Sequence, residues 1–462
     1  MAKGVQEFNF FYWFFRPLVQ FGAVCHYRTF TVKGKENLPK EGGYILAPCH
    51  QQALMEPLAV LNITKKSPVF LARADIFKKD FIRKCLLFLK IMPVYRIRDG
   101  KESLSKNAEI FEKSRAVVLD GFPFCMMAEG RHNDKHQLLP LVKGMFRIAG
   151  ETQMRMGDKP LYIVPTGIDF DEYERPFANL CVNIGKPINV QQFMETFKEN
   201  EPVALNQMRD TVAEALSGQM FDIKSKENYK IIHTLTIILN REQLRRDGKI
   251  ATPFNRFEAR QKIAARFDQM EQENPPAFDM VRDDVMLYMK LLHRLHLSPK
   301  QESGHWKWHQ YAIELALAVA VVTAAIVYKP LLWSVLFCLA CYPIILLPTH
   351  LIFKRVIKDT QFRSSINFGA RFFFSVIYTL VFSIIMGCTA GGWWGTLLPG
   401  INGFWWFLAA FNTPFAMAYC SGYLVKWFRH VLLNTHYWRK RIWNSAATLE
   451  LRNIRKDLEA RL

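Results

Sequence analysis

A histidine and a carboxylate stand six positions apart in the segment Ala47-Pro-Cys-His50-Gln-Gln-Ala-Leu-Met-Glu56, directly after the apolar run Tyr44-Ile45-Leu46. A carboxylate against one imidazole nitrogen fixes the tautomer and leaves the other nitrogen to accept a proton from a hydroxyl group. Most pairs at such a spacing are surface or helix-cap residues. His50 and Glu56 therefore predict a general base only if other segments support the same chemistry.

Three further segments do so. The apolar run 122–127 is followed by Glu129-Gly130-Arg131-His132-Asn133-Asp134 and then by Leu138-Leu139-Pro140-Leu141-Val142-Lys143-Gly144. Between this block and the first lies Ile91-Met92-Pro93-Val94-Tyr95-Arg96, and after it the run 161–164 ends in Pro165. In this order the four blocks resemble those of the glycerolipid acyltransferases, the family of bacterial lysophosphatidate and glycerol-3-phosphate acyltransferases.

The resemblance covers residues 32–188 and implies a mechanism. His50 would remove the proton from an acceptor hydroxyl as its oxygen attacks an acyl thioester, and Glu56 would orient the imidazole. No covalent acyl-enzyme is required. The residues that would position the phosphate and glycerol of the acceptor are Arg96, Glu129, Gly130 and Arg131. A carboxylate beside a phosphate suggests that Glu129 orients Arg131 or accepts from a glycerol hydroxyl.

The chain departs from the family pattern at several positions. Cys49 precedes the histidine where the family has asparagine, and Met55 stands at the usual aspartate position, so the acid comes one residue later as Glu56. Arg131 replaces the family's threonine, and His132 replaces its arginine. Either Arg131 or His132 then contacts the phosphate; the guanidinium fork and permanent charge favour Arg131.

Composition indicates an anionic partner and a membrane. The 462 residues carry a formal charge of +20 and include 37 Phe and 11 Trp. Anionic lipid fits this balance, whereas no nucleic-acid-binding motif is present, so nucleic acid is not expected as a partner. The nine cysteines lack paired spacing, so neither a metal site nor a disulfide framework is expected. No cofactor is expected beyond the acyl donor, which is acyl-CoA or acyl carrier protein.

Strands and helices alternate over residues 29–190, which predicts an α/β domain, a mixed sheet flanked by helices. The predicted strands are 29–32, 43–47, 69–72, 92–95, 122–128, 162–167 and 180–184. His50, Arg96 and Glu129 each follow a predicted strand, where sites gather in such sheets. Residues 1–28 are dense in aromatic residues and predict a helix at the membrane interface, with a buried packing helix as the alternative.

The rest of the chain predicts a mainly helical extension at 191–310, a transmembrane domain of about four helices at 311–428 and a basic cytoplasmic tail at 429–462. The predicted spans are 311–328, 331–348, 372–388 and 404–425. Positive charge concentrates in the loop between the second and third spans and in the tail. The positive-inside rule therefore predicts an integral protein of the cytoplasmic membrane, with its catalytic domain on the cytoplasmic face.

These observations predict an integral-membrane O-acyltransferase of phospholipid biosynthesis, acting on a glycerol-phosphate-type or lysolipid hydroxyl. Glycerol-3-phosphate, lysophosphatidate, another lysolipid and an acyl-amino acid all stay open as the acceptor. Two alternatives belong to other classes: a lipid-binding protein whose transferase site has decayed, and a lysolipid transporter fused to an acyltransferase. The intact His50, Glu129-Gly130 and Pro165 favour the enzyme.

Overall fold

The computed structural model describes residues 4–95, 101–133, 135–172, 177–327, 362–370, 372–373, 377 and 404–462. The chain divides into two compact units. Unit 1 comprises Met1–Tyr229 and Ala251–Asp268, and unit 2 comprises Lys230–Ile250 and Gln269–Leu462. The residues that predict chemistry all belong to unit 1.

Unit 1 is built on a mixed eight-stranded sheet. Its strands are β1 (Thr29–Lys33), β2 (Tyr44–Pro48), β3 (Val69–Arg73), β4 (Ile91–Val94), β5 (Pro123–Cys125), β6 (Tyr162–Phe170), β7 (Asn179–Ile184) and β8 (Ile188–Asn189). The order across the sheet is β1-β7-β6-β2-β5-β3-β4, and β8 pairs with β6. The pairings of β6 with β7 and with β8 are antiparallel, and the others are parallel. The predicted mixed α/β sheet is confirmed.

The central strands of the sheet are continuous apolar runs because both of their faces are buried. All five residues of β2 are buried, as expected for a strand covered by helices on both faces. β2 runs parallel to β5 on one side and to β6 on the other. The carboxyl ends of these three neighbouring strands therefore meet at one edge of the sheet, which is where a site forms in an open parallel sheet.

Helices of unit 1 cover the sheet. They are α1 (Phe10–His26), α2 (Met55–Ile63), α3 (Asp80–Phe88), α4 (Lys101–Leu119), α5 (Lys143–Met156), α6 (Met194–Glu199) and α7 (Glu201–Gln219). The end of helix α7 packs closely on β6 at Gly167. A Cβ added to Gly167 would lie 1.9 Å from the backbone oxygen of Gln219. Only glycine permits this approach.

Beyond α7 the described chain is helical. The elements are α8 (Tyr229–Ile238), α9 (Asn240–Arg246), α10 (Pro253–Glu273), α11 (Pro275–Leu295), α12 (Pro299–Gly304), α13 (Trp308–Val327), α14 (Phe404–Trp443) and α15 (Ser445–Ala460). Within unit 2, α13 and α14 are joined by a 2.8 Å hydrogen bond from the Trp427 indole to Glu314.

Two of the predicted spans, 311–328 and 404–425, coincide largely with α13 and α14. The other two, 331–348 and 372–388, lie outside the described residues except at positions 372, 373 and 377. Across the part of the chain that the structure describes, no helix has both the length and the apolar character needed to cross a bilayer. The transmembrane domain stays a prediction.

Candidate active site

His50 and Glu56 come together in the short connection from β2 to α2. His50 Nδ1 lies 3.5 Å from Glu56 Oε2, and the other carboxylate oxygen accepts from the backbone N–H of Gln51 at 3.0 Å and Gln52 at 2.5 Å. Glu56 is fully buried in the first turn of α2, where the helix dipole favours a negative charge. The glutamate folds back over its own loop, which is how the longer spacing still yields a His–carboxylate contact.

Glu129 holds the backbone of the histidine loop. The strand β5 continues as a buried segment beside β2, with the N–H of Ala128 donating to the carbonyl of Pro48 at 3.2 Å. This register places the Glu129 carboxylate to accept from the backbone N–H of His50 at 2.8 Å and of Leu139 at 3.0 Å. Both oxygens are engaged, and the residue is only 3% exposed.

These contacts give Glu129 a positioning role, and they add no support to the predicted contact with the acceptor. Burial raises the pKa of the Glu129 carboxyl to about 7, while the two backbone hydrogen bonds act in the opposite direction. The sequence indicated Glu129 through the strand that precedes it. Its use as a bridge between His50 and the Leu-Leu-Pro segment depends on loop geometry, which the sequence does not reveal.

Gly130 makes the turn that follows Glu129. Its φ of +63° is in the left-handed region, and a Cβ there would lie 2.7 Å from Cγ1 of Val142. The N–H of Val142 in turn donates to the carbonyl of Ala128 at 2.9 Å. The glycine therefore lets the segment before α5 return against the strand and leaves the peptide beside Arg131 uncovered.

Arg131 and His132 have different environments. Arg131 is exposed, whereas the His132 ring lies 4.0 Å from the His50 ring between centroids, tilted by 52°. Burial lowers the pKa of His132 to about 3, with smaller contributions from His50 and Arg73. The neutral His132 ring therefore covers the ring of the predicted base, His50. The next residue, Asn133, donates its backbone N–H to the His50 carbonyl at 3.1 Å.

Arg96 is outside the described residues, so its role stays a prediction. Lys143 is exposed at the first position of α5. Arg73, at the end of β3, donates to Asp75 at 3.1 Å and is near enough to His132 to lower the pKa of that ring. Arg73 is the last residue of a parallel strand, and this position is the sequence feature that could have indicated a residue near the site.

Cys49 is packed rather than poised for reaction. The thiol donates to the Ile168 carbonyl at 3.4 Å and accepts from the Ile168 N–H at 3.2 Å. The side chain is fully buried, and burial raises the pKa of the thiol well above its usual value. A protonated, enclosed thiol is a poor nucleophile, so Cys49 serves to join β2 to β6.

A second histidine–carboxylate pair in unit 1 is engaged by other side chains. His136 Nδ1 lies 3.8 Å from Asp169 Oδ1, but Asp169 also pairs with Arg260, and the His136 ring packs 4.5 Å from Phe221. Both members of the pair are buried. An arginine that already neutralises the carboxylate makes this a structural pair, in contrast to His50 and Glu56. Among the described residues, no three histidines, cysteines or acids gather as a metal site.

Comparison with known proteins agrees with this domain. The model of a family described as Acyltransferase matches residues 29–169. An uncharacterized acyltransferase from Schizosaccharomyces pombe is 21% identical over 194 residues, which is 42% of this chain and 28% of that protein. The crystal structure of the 1-acyl-sn-glycerophosphate (LPA) acyltransferase PlsC from Thermotoga maritima matches 44% of this chain and 80% of that chain, with 18% identity and a TM-score of 0.32.

Proposed function

We propose, from the match of residues 29–169 to the model of a family described as Acyltransferase, that the chain transfers a fatty acyl group from an acyl thioester to a hydroxyl of a glycerol-phosphate-type or lysolipid acceptor. The hydroxyl oxygen attacks the thioester carbonyl, and the thiol leaves as the new ester forms. This reaction needs a base for the hydroxyl proton and cationic groups for the phosphate.

The observation that supports the base is the double restraint on His50. Glu56 lies against Nδ1, and Glu129 accepts the hydrogen bond from the backbone N–H of the same residue. The carboxylate at Nδ1 assigns Nε2 to the acceptor, and its charge stabilises the imidazolium that forms when the proton is taken. The backbone restraint fixes the point from which the ring approaches the substrate.

For the acceptor phosphate, the proposal uses Arg131, supported by its exposure beside the Gly130 turn. A guanidinium binds a phosphate with two parallel hydrogen bonds and stays charged at every working pH. The neutral His132 is the weaker candidate for an anion, because burial holds its pKa at about 3. Arg96 is proposed for the same phosphate on the sequence resemblance.

We assign the reaction to a membrane and the catalytic domain to its cytoplasmic face. The formal charge of +20, the long apolar runs of the last third and the sorting of lysine and arginine between the predicted loops support this assignment. Acyl-CoA and acyl carrier protein are both polyanionic donors that a basic surface attracts. Membrane lipids are the other proposed partners.

The test uses the full-length protein purified in detergent, as wild type and as His50→Ala. Each is incubated with labelled acyl-CoA or acyl carrier protein and with glycerol-3-phosphate, lysophosphatidate, other lysophospholipids or a hydroxy-acylated amino acid. Thin-layer chromatography separates the products. Labelled lipid from the wild type alone supports the proposal, and the productive acceptor identifies the substrate. If folded wild type yields no product with any pair, the lipid-binding or transporter alternative is favoured.

A further inference from the structure

Tyr27 is a buried tyrosine that caps the end of α1 and is only 3% exposed. Its main chain is held on both sides. The carbonyl of His26 accepts from the N–H of Phe177 at 2.8 Å, and the N–H of Arg28 donates to the carbonyl of Ala178 at 2.8 Å. The Tyr27 hydroxyl is buried and has no hydrogen-bond partner among the described residues. A phenylalanine would fill the same space without an unpaired polar atom, so the hydroxyl indicates a partner in the working protein.

Helix α1 packs against α2 in the antiparallel direction. Arg16 donates to the carbonyl of Thr64 at 2.7 Å. One turn further along α1, Gln20 donates to the carbonyl of Leu61, also at 2.7 Å. Each step towards the end of α1 therefore leads towards the beginning of α2, which is where the carboxylate of the predicted catalytic pair lies.

Tyr27 consequently stands level with Glu56. The step from Gln20 to Tyr27 covers about 10 Å along α1, and the step from Leu61 back to Glu56 covers about 8 Å along α2. On its other side the Tyr27 ring lies 5.9 Å from the ring of Phe170, the last residue of β6. Because β6 runs beside β2, the Tyr27 ring lies between the beginning of α2 and the edge of the sheet that carries the site.

The charge that acts on the Tyr27 hydroxyl is that of Glu56. Burial raises the pKa of the hydroxyl well above its usual value, and the Glu56 carboxylate adds to the rise. The phenol therefore keeps its proton and can act towards a carboxylate only as a donor. Glu56 is fully buried, and its Oε1 accepts from the N–H groups of Gln51 and Gln52. Among the described residues, Oε2 has only His50 Nδ1 nearby, at 3.5 Å, and so has room for a donor.

We propose that Tyr27 is a positioning residue of the site: its hydroxyl hydrogen-bonds to Glu56 Oε2, directly or through one water molecule, and keeps this oxygen directed at His50. The step rests on the proposed function, in which Glu56 orients the base. A carboxylate held through Oε1 alone can tilt Oε2 away from the imidazole, and a donor on the second oxygen removes this freedom. The match to the acyltransferase family begins at residue 29, beyond Tyr27, so it gives no information on this residue.

The test is a double-mutant cycle in the full-length protein purified in detergent. Tyr27→Phe removes the hydroxyl and keeps the ring, Glu56→Gln removes the carboxylate charge, and the double variant completes the cycle. Tyr12→Phe is the matched control. Tyr12 is also buried in α1, and its hydroxyl hydrogen-bonds with Ser67 instead of lying at the site.

In kinetics, Tyr27→Phe should lower kcat about tenfold and leave the KM of the acceptor unchanged, because the hydroxyl contacts no substrate. In the Glu56→Gln background the same substitution should change kcat by less than about twofold, since the carboxylate that the hydroxyl positions is gone. Tyr12→Phe should change kcat by less than about twofold in either background. Wild-type kcat in folded Tyr27→Phe, or an equal loss with and without the Glu56 carboxylate, would overturn the proposal.

Unfolding in urea adds a measurement that requires no turnover. The unfolding equilibrium constants should show a coupling of about tenfold between Tyr27→Phe and Glu56→Gln, whereas Tyr12→Phe and Glu56→Gln should be additive. This coupling in a protein without acyl transfer would sustain the interaction of Tyr27 with Glu56 and reject the proposed function. Acyl transfer with additive effects in both measurements would retain the enzyme and reject the role of Tyr27.

Discussion

Replacing Glu129 by glutamine separates the stability of the domain from its activity. The carboxylate accepts from the N–H groups of His50 and Leu139, one on each oxygen. An amide has a single acceptor oxygen, so in Glu129→Gln one of these buried N–H groups faces an NH₂ group. An unsatisfied buried donor costs about 1–3 kcal/mol. If this free-energy cost displaces His50 from its catalytic position, turnover falls by about 10- to 100-fold.

The pH dependence of stability works in favour of the glutamine variant, because the buried Glu129 carboxylate destabilises the wild type as pH rises. The pKa of Glu129 rises from its ordinary value of 4.5 to about 7 on folding. Between these values the folded chain binds more protons than the unfolded chain, so its stability falls as pH rises from 4.5 and the loss is complete above about 7. The full loss is about 3 kcal/mol, of which about 2 to 3 kcal/mol falls between pH 5 and pH 8.

Glutamine does not titrate, so Glu129→Gln should gain about 2 to 3 kcal/mol relative to wild type when the pH changes from 5 to 8. Equilibrium unfolding in urea measures this difference in the free energy of unfolding. The protein is kept in the detergent used for its purification, and the unfolded fraction of unit 1 is detected by proteolysis. The variant at pH 8 is then comparatively stable yet less active. A stability difference that does not change with pH would refute the buried charge, and wild-type turnover would refute the positioning role.

Substitutions at three further residues test the neighbouring groups. Glu56→Gln should lose turnover by about 10- to 1,000-fold, less than His50→Ala, because an amide can hold the ring but cannot stabilise imidazolium; a fully active variant would exclude Glu56 as the partner. Arg131→Ala should raise the acceptor KM, since a phosphate contact acts equally in ground and transition states, with Arg131→Lys as the control that keeps the charge; an unchanged KM in Arg131→Ala would remove it from the phosphate site. His132→Ala should lower kcat about tenfold while His132→Phe, which keeps a ring over His50, retains most of it; a raised KM in both would instead make His132 a phosphate ligand.

Much of the sheet is readable from the sequence because its strands are short apolar runs bounded by turn residues. The strands predicted at 29–32, 69–72 and 180–184 agree with β1, β3 and β7 within one residue. The predicted strand at 122–128 is longer than β5, Pro123–Cys125. The chain nevertheless stays beside β2 after β5 ends, because the N–H groups of Met126 and Ala128 donate to the carbonyls of Leu46 and Pro48. The apolar run thus leads directly to Glu129.

The site is less predictable than the sheet. Parallel neighbours place the residues after β2 and β5 at one edge, and this geometry accounts for the proximity of His50 and Glu129. It does not specify that Glu129 holds the His50 backbone, nor that the His132 ring covers the His50 ring. The second contact depends on the backbone path after Gly130, whose φ is +63°.

The central claim is that His50 acts as a base on the acceptor hydroxyl and that the acyl group never resides on the enzyme. The neighbouring residues His50 and Cys49 allow a paired test, because a thiol beside a histidine is the alternative nucleophile. With the acceptor identified by the panel, turnover is measured for Cys49→Ala and His50→Ala at matched levels of folded protein. We predict near wild-type turnover in Cys49→Ala and a loss of about 1,000-fold or more in His50→Ala. Loss of activity in folded Cys49→Ala, with a labelled acyl group retained on wild-type protein in the absence of acceptor, would contradict direct transfer.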